Sequence, residues 1–216
     1  PAIQLGFRAK FPEIQVKFYI RGTDANQVEM LIGDAGRWVS EKLGHKLISP
    51  EGESMETVVG RLLSQNKSTL AVAESCTGGL IAHWLTNVAG SSDYFLYSGV
   101  VYANQAKVAL LGVSQDTLNR HGAVHEETAR EMAIRVRLIT GATYGLATSG
   151  IAGPGGGTDE KPVGTVCIGL ATPGDVRTYR FQYRFKSREM NKQIFAMTAL
   201  DLLRRELMGV NPAENS

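Results

Sequence analysis

Apolar positions recur with period two over residues 14–20 (IQVKFYI), which predicts a strand with one buried face. Residues 24–43 then place Val28, Leu31, Ile32, Ala35, Trp38 and Val39 at helical spacing, with Gly44 as the stop. Together these predict a small α+β connector over residues 1–48. Residues 49–53, with Pro50 and Gly52, have turn chemistry and read as a linker. Beyond it, Ser54 is placed to cap a helix over 55–65 whose stripe is Val58, Val59, Leu62 and Leu63. Residues 69–73 (TLAVA) are continuously apolar, as in a strand covered on both faces. A helix carrying Leu80, Ile81, Trp84, Leu85 and Val88 comes next. Further strands are expected over 99–102, 144–149, 164–171 and 177–185, and helices over 104–111, 126–140 and 188–207. Strands that first alternate with helices and then follow one another directly predict an α/β domain over 54–208, a mixed β-sheet with helices on both sides. Residues 209–216 read as a flexible tail.

Composition narrows the class. At 216 residues, 43% hydrophobic and 20% charged, the chain is an ordinary globular one with room for a main domain and a smaller unit. A net charge of +2, with the basic residues scattered, offers no footprint for nucleic acid, so a small-molecule partner is expected. No apolar run approaches the roughly 20 residues of a membrane span, and no signal-peptide pattern opens the chain. A cytoplasmic location without a membrane partner is therefore expected. Cys76 and Cys167 lack the paired spacing of a zinc or redox motif, so no metal is expected. The chain opens at Pro1 without a methionine and reads as the C-terminal piece of a longer protein.

Three segments carry candidate chemistry. Glu74, Ser75, Cys76, Thr77, Gly78 and Gly79 form a turn from strand to helix, where a helix N-terminus offers N–H groups to an anion; Ser75 or Thr77 as a simple helix cap is the alternative. The second runs from Ser149 through Gly150, Gly153, Gly155, Gly156 and Gly157. Five glycines there cost roughly 0.5–1 kcal/mol each in regular structure, a cost that a backbone passing close to a ligand would offset; a mobile hairpin connection is the bland reading. It closes on neither a Walker lysine nor a dinucleotide fingerprint.

The third segment joins Ser92 to Tyr102 and Lys107. A serine needs a base within hydrogen-bond reach, and a lysine serves when burial lowers its pKa. His45, His83, His121 and His125 offer no better base. Were residues 92–102 one straight strand, Ser92 would lie on the order of 30 Å from Tyr102. The pair therefore requires Ser91 to start a helical turn, or a second subunit to supply one of its members. Lys107 as an ordinary surface lysine remains the alternative.

The words AESCTGG (73–79), GSS (90–92), VVYANQAK (100–107), SGIAGPGGG (149–157) and KPVGTV (161–166), in this order, resemble the C-terminal domain of the competence/damage-inducible CinA family, the nicotinamide-nucleotide amidohydrolases. The resemblance covers roughly residues 54–207. It implies hydrolysis of nicotinamide mononucleotide to nicotinate mononucleotide and ammonia by a serine–lysine mechanism; no cofactor or metal is expected, and a homodimer is. Carried over by position, it implies Ser92 as nucleophile, Lys107 as base and Tyr102 as the group that tunes the lysine. Ser149, where the family usually has threonine, and Arg188 are the supporting polar positions. The glycine-rich loop or the turn after Ala73 then holds the phosphate, with Arg188 either paired to it or an ordinary helix-start arginine. The family's N-terminal molybdopterin-binding-like domain lies outside this chain. A catalytically silent nucleotide-binding module is the competing expectation.

Overall fold

The computed structural model describes residues 3–210, and the tail expected over 209–216 falls outside them from residue 211 onward. The chain divides into two compact units at Met55/Glu56. In the first, β1 (Ile3–Lys10) and β2 (Glu13–Ile20) pair antiparallel from Lys10↔Glu13 to Ile3↔Ile20. β1 lies ahead of the strand expected over 14–20, and its Ile3, Leu5 and Phe7 alternate with polar or small residues. The helix α1 (Ala25–Leu43) follows, its first amides held by the Asp24 carboxylate, which accepts from the N–H groups of Asn26 (3.0 Å) and Gln27 (3.3 Å).

The second unit is built in the order α2 (Met55–Gln65), β3 (Leu70–Glu74), α3 (Leu80–Thr86), β4 (Phe95–Val100), α4 (Asn104–Ala109) and α5 (Gln115–His121). Then come α6 (Glu126–Thr140), β5 (Tyr144–Gly150), β6 (Thr165–Ala171), β7 (Val176–Gln182) and α7 (Arg188–Leu207). The five strands form one mixed sheet in the order β4-β3-β5-β6-β7. β3 is parallel to both β4 and β5, while β6 and β7 complete the sheet antiparallel. Every residue of β3 and β6 is buried, as a central strand covered on both faces requires.

Alternation along the strands sorts the two faces. Ala71, Ala73, Ala147 and Ala171 join Met132, Ala133 and Val136 of α6 in one core cluster. Gly145 and Gly169 lie on that same face, and a Cβ on either would meet an α6 carbonyl oxygen, of Ala133 or Ala129, at 2.2 Å. Small residues thus let α6 lie close across the sheet. The other face, with Leu146, Val166, Ile168 and Leu170, receives α7, which also packs on α3 and buries Phe195, Ala199 and Leu203.

In the second unit, β4 and α5 differ most from expectation. β4 begins at Phe95 and ends at Val100, earlier than the 99–102 expected, because the chain leaves the sheet once the Val101 N–H has bonded the Glu74 carbonyl. α5 lacks an apolar stripe, burying only Thr117 and Leu118; the Glu131 carboxylate holds its start by accepting from the Ser114 N–H at 2.7 Å. Among the described residues no helix is long and apolar enough to cross a membrane.

Candidate active site

Three parallel strands bring their carboxyl ends to one edge of the sheet, where open α/β sheets bind ligands. Glu74 closes β3, Val100 closes β4 and Gly150 closes β5, with Glu74 paired to Val100 and to Thr148. The residues at and beyond the ends of these strands line a cavity of about 270 Å³: Ser75 and Cys76 after β3, Tyr102 and Lys107 after β4, and Ser149 to Gly153 with Gly155 and Gly156 around the end of β5. Ala123 and Val124, between α5 and α6, and Arg188 of α7 complete its wall.

Lys107 is the unusual group. It is wholly buried, and among the described residues it forms no ion pair. Its Nζ lies 2.9 Å from the Val101 carbonyl oxygen, 3.2 Å from that of Tyr102 and 3.1 Å from Ser75 Oγ. Burial holds its pKa below the ordinary lysine value. A neutral amine has two N–H groups and one lone pair. Two carbonyls take the two N–H groups, and the lone pair is left for the Ser75 hydroxyl. Ser75 is itself 8% exposed, at the cavity wall.

Ser92 is not part of this arrangement. A single 3₁₀ turn does span Ser91–Asp93, as the pairing required, but the six-residue strand Phe95–Val100 follows it. Ser92 is exposed before the start of β4, whereas Lys107 is held past its end, about 20 Å away along the strand. Within the chain, the hydroxyl that meets Lys107 belongs to Ser75.

Tyr102 also differs from its expected place. Its backbone carbonyl, not its phenol, contacts Lys107; the side chain is 57% exposed, and its hydroxyl accepts from Arg188 Nη2 at 2.7 Å. Arg188 Nη1 donates to the Gly153 carbonyl at 2.6 Å, so its guanidinium straps the Tyr102 side of the cavity to the glycine-rich loop. Asn191, one turn along α7, donates to the carbonyls of Ala152 and Phe185, each at 3.0 Å.

Glu74 and Thr77 serve the frame. The wholly buried Glu74 carboxylate accepts from the amides of Gly79 (3.0 Å), Ile81 (3.2 Å) and Ala82 (2.9 Å), and from Ser98 Oγ (3.3 Å). The N–H groups that a helix start offers to an anion are therefore occupied from within, which corrects the reading of this helix N-terminus as a phosphate cradle. Thr77 Oγ1 and Thr148 Oγ1 are 2.8 Å apart in the core. The amides of Cys76 and Thr77 donate to no other residue among those described.

Two groups stabilise the neighbouring walls. Ser149 Oγ donates to the Ala123 carbonyl at 2.6 Å, fixing the segment between α5 and α6. Cys76 would rival Ser75 as nucleophile, yet burial pushes its thiol up to about 12, leaving it protonated at neutral pH. Cys167 is pushed up to about 12 for the same reason. In the glycine-rich loop, a Cβ at Gly150 would meet the Thr165 carbonyl oxygen at 2.5 Å, and Gly153 and Gly156 adopt φ of 85°. Gly155 alone lines the cavity with open space where a side chain would stand. Gly78, with φ of 60°, lies beside the Lys192 ammonium.

Residues 52–207 match the family model for the CinA C-terminal domain. A CinA-like protein of Desulfosudis oleivorans is 57% identical over 208 residues, which are 96% of this chain and 50% of that protein. One of Desulforapulum autotrophicum is 56% identical over 96% of this chain and 49% of its own length. The chain thus spans about half the length of the curated relatives it matches. Among solved structures, competence damage-inducible protein A (ComA) of Klebsiella pneumoniae superposes with a TM-score of 0.69 at 32% identity, over 71% of this chain and 95% of that one. Competence/damage inducible protein CihA of Agrobacterium tumefaciens does so with a TM-score of 0.67 at 37% identity, over 71% and 95%.

Proposed function

The chain belongs to the CinA family, and from that premise we propose that its second unit is an amidohydrolase with Ser75 as nucleophile and Lys107 as base. Its proposed substrate is nicotinamide mononucleotide, converted to nicotinate mononucleotide and ammonia. The observation that carries this reading is the buried, unpaired Lys107 with its Nζ 3.1 Å from Ser75 Oγ. Burying a lysine without a counter-charge destabilises the fold, and a depressed pKa beside a serine hydroxyl is the use for which that arrangement suits.

The steps follow from the geometry. Neutral Lys107 takes the Ser75 proton as Oγ attacks the carboxamide carbon. The Cys76 amide, at the cavity wall and donating to no other residue among those described, is the donor for the oxyanion. Lys107 then delivers its proton to the departing nitrogen, which leaves as ammonia, and an acyl ester remains on Ser75. Water attacks that ester with Lys107 again accepting the proton, releasing the carboxylate and restoring the serine. Both groups come from one chain, so a second subunit is not needed to assemble the pair.

Ammonia release from nicotinamide mononucleotide tests the reading. Ser75→Ala and Lys107→Met are each expected to lower kcat by at least about a thousandfold, in line with losing a nucleophile or its base, while Ser92→Ala keeps wild-type turnover. No release from the wild-type chain, with nucleotide still bound, would instead establish a silent binding module. Loss of activity in Ser92→Ala with Ser75→Ala unaffected would reverse the assignment.

A further inference from the structure

Four cations crowd the connection from β7 into α7: Arg184, Lys186, Arg188 and Lys192. Among the described residues none of them forms an ion pair. Arg184 and Lys186 line a separate open groove with Pro154 and Phe185, away from Ser75 and Lys107. Arg188 faces the catalytic cavity, but its Nη1 and Nη2 already donate to the Gly153 carbonyl and the Tyr102 hydroxyl. Lys192 is different: it is only partly exposed, and its ammonium has no hydrogen-bond acceptor among the described residues. A side-chain ammonium with no acceptor among its neighbours is free to meet a ligand anion.

Its position says which anion. Lys192 stands four residues after Arg188, on the same face of α7, which turns one residue to the cavity and the other to the turn after β3. A Cβ placed on Gly78 would lie 3.3 Å from the Lys192 Nζ. Glycine at this position, with φ of 60°, leaves the ammonium room beside the turn. Gly78 closes a turn on Ser75, its N–H donating to the Ser75 carbonyl at 3.1 Å, so the two Cα atoms lie within about 7 Å and the Lys192 ammonium, on the far side of Gly78, stands within reach of the phosphate of a mononucleotide whose amide is at Ser75. The helix amides nearby are closed to an anion by Glu74, so a side-chain cation is left to meet it.

We propose that Lys192 is the specificity-determining cation of the site, holding the phosphate of a nucleoside monophosphate whose amide lies at Ser75. This deepens the amidohydrolase reading and rests on it. Lys192 touches no reacting atom; it distinguishes the nucleotide from its nucleoside.

The test compares nicotinamide mononucleotide with nicotinamide riboside, which lacks only the phosphate, in the full chain and in Lys192→Met and Lys192→Arg. Lys192→Met is expected to raise KM for the nucleotide about tenfold to a hundredfold, the range of one charge-assisted hydrogen bond, with kcat little changed. Turnover of the riboside stays at the wild-type level, and Lys192→Arg recovers most of the nucleotide preference. Equal loss on both substrates, or an unchanged KM for the nucleotide, overturns the proposal. Calorimetric binding of nicotinate mononucleotide against nicotinate riboside separates this claim from the reaction. A phosphate-dependent affinity that Lys192→Met removes upholds it even where the wild-type chain releases no ammonia, an outcome in which only the amidohydrolase reading fails. Equal affinity for the two ligands in the wild type, or binding of neither, overturns it.

Discussion

At the scale of single residues, a proton balance governs the site. The folded chain depresses the Lys107 pKa by burial, so between that value and the ordinary 10.5 the unfolded chain binds a proton that the folded one does not. Stability contributed at this position therefore rises with pH through that window, and below it the full penalty of a buried ammonium persists. Cys76 and Cys167 act in the opposite sense: raised from 9.0 to about 12, they hold protons that the unfolded thiols lose, and stability falls as pH rises across that range. Activity follows the lysine alone, because only its neutral form accepts the serine proton. kcat/KM for ammonia release is expected to rise with pH and level off at an apparent pKa below 10.5; a rising limb centred on 10.5 would mean that the base is an ordinary solvated lysine. Gly155 offers a second test at this scale. Its φ lies outside the left-handed region and it faces open space, so Gly155→Val should leave the melting temperature within a degree or two while raising KM as the side chain enters the cavity. The hydroxyls and Lys107 were visible in the sequence, but which serine meets the lysine was not. Ser75 and Lys107 are separated by 32 residues and joined only by the parallel pairing of β3 with β4, which no local spacing records.

Secondary elements place these residues, and two buried features decide how firmly. Glu74 ends β3 and caps α3 at once, so its carboxylate ties the strand to the helix start on either side of Ser75. Glu74→Ala leaves three amides short of an acceptor and is expected to destabilise the second unit by about 2 kcal/mol or more, read from denaturant midpoints at unchanged slope. Glu74→Gln keeps one acceptor oxygen and should fall between it and wild type. On the sheet's other face, Gly169 admits the α6 backbone. Gly169→Ala would press a methyl against the Ala129 carbonyl at 2.2 Å and should cost about 1–3 kcal/mol, an overpacking penalty read from the same midpoints. An unchanged midpoint would mean that α6 can shift without loss. Elements with an apolar stripe or a continuous apolar run, such as α6, α7, β3 and β6, were legible in the chain. α5 was not, since its start depends on the Glu131 carboxylate, ten residues beyond its last residue and on the neighbouring helix. β4 ends at Val100, before the run over 99–102 does, for a related reason: its exit is set by a hydrogen bond to Glu74 on the strand beside it.

For the whole molecule, the question is how much of the chain the chemistry needs. Every group assigned to the reaction or to phosphate recognition lies between Glu74 and Lys192, and the cavity is lined wholly from the second unit. That unit has its own buried core on both faces of the sheet, from Val58 and Leu63 in α2 to Leu203 and Leu207 in α7. In the first unit, the described residues of the hairpin and of α1 include none that is buried; Phe7 and Ile14 are 68% and 72% exposed. So small an element cannot supply much folding free energy by itself. A chain of residues 52–216, which keeps Met55 and the whole of α2, is therefore expected to fold cooperatively and to release ammonia with the kcat and KM of the full chain. A large rise in KM on truncation would show that the first unit contributes to the substrate's environment. A collapse of cooperative unfolding would show instead that the second unit draws stability from the first.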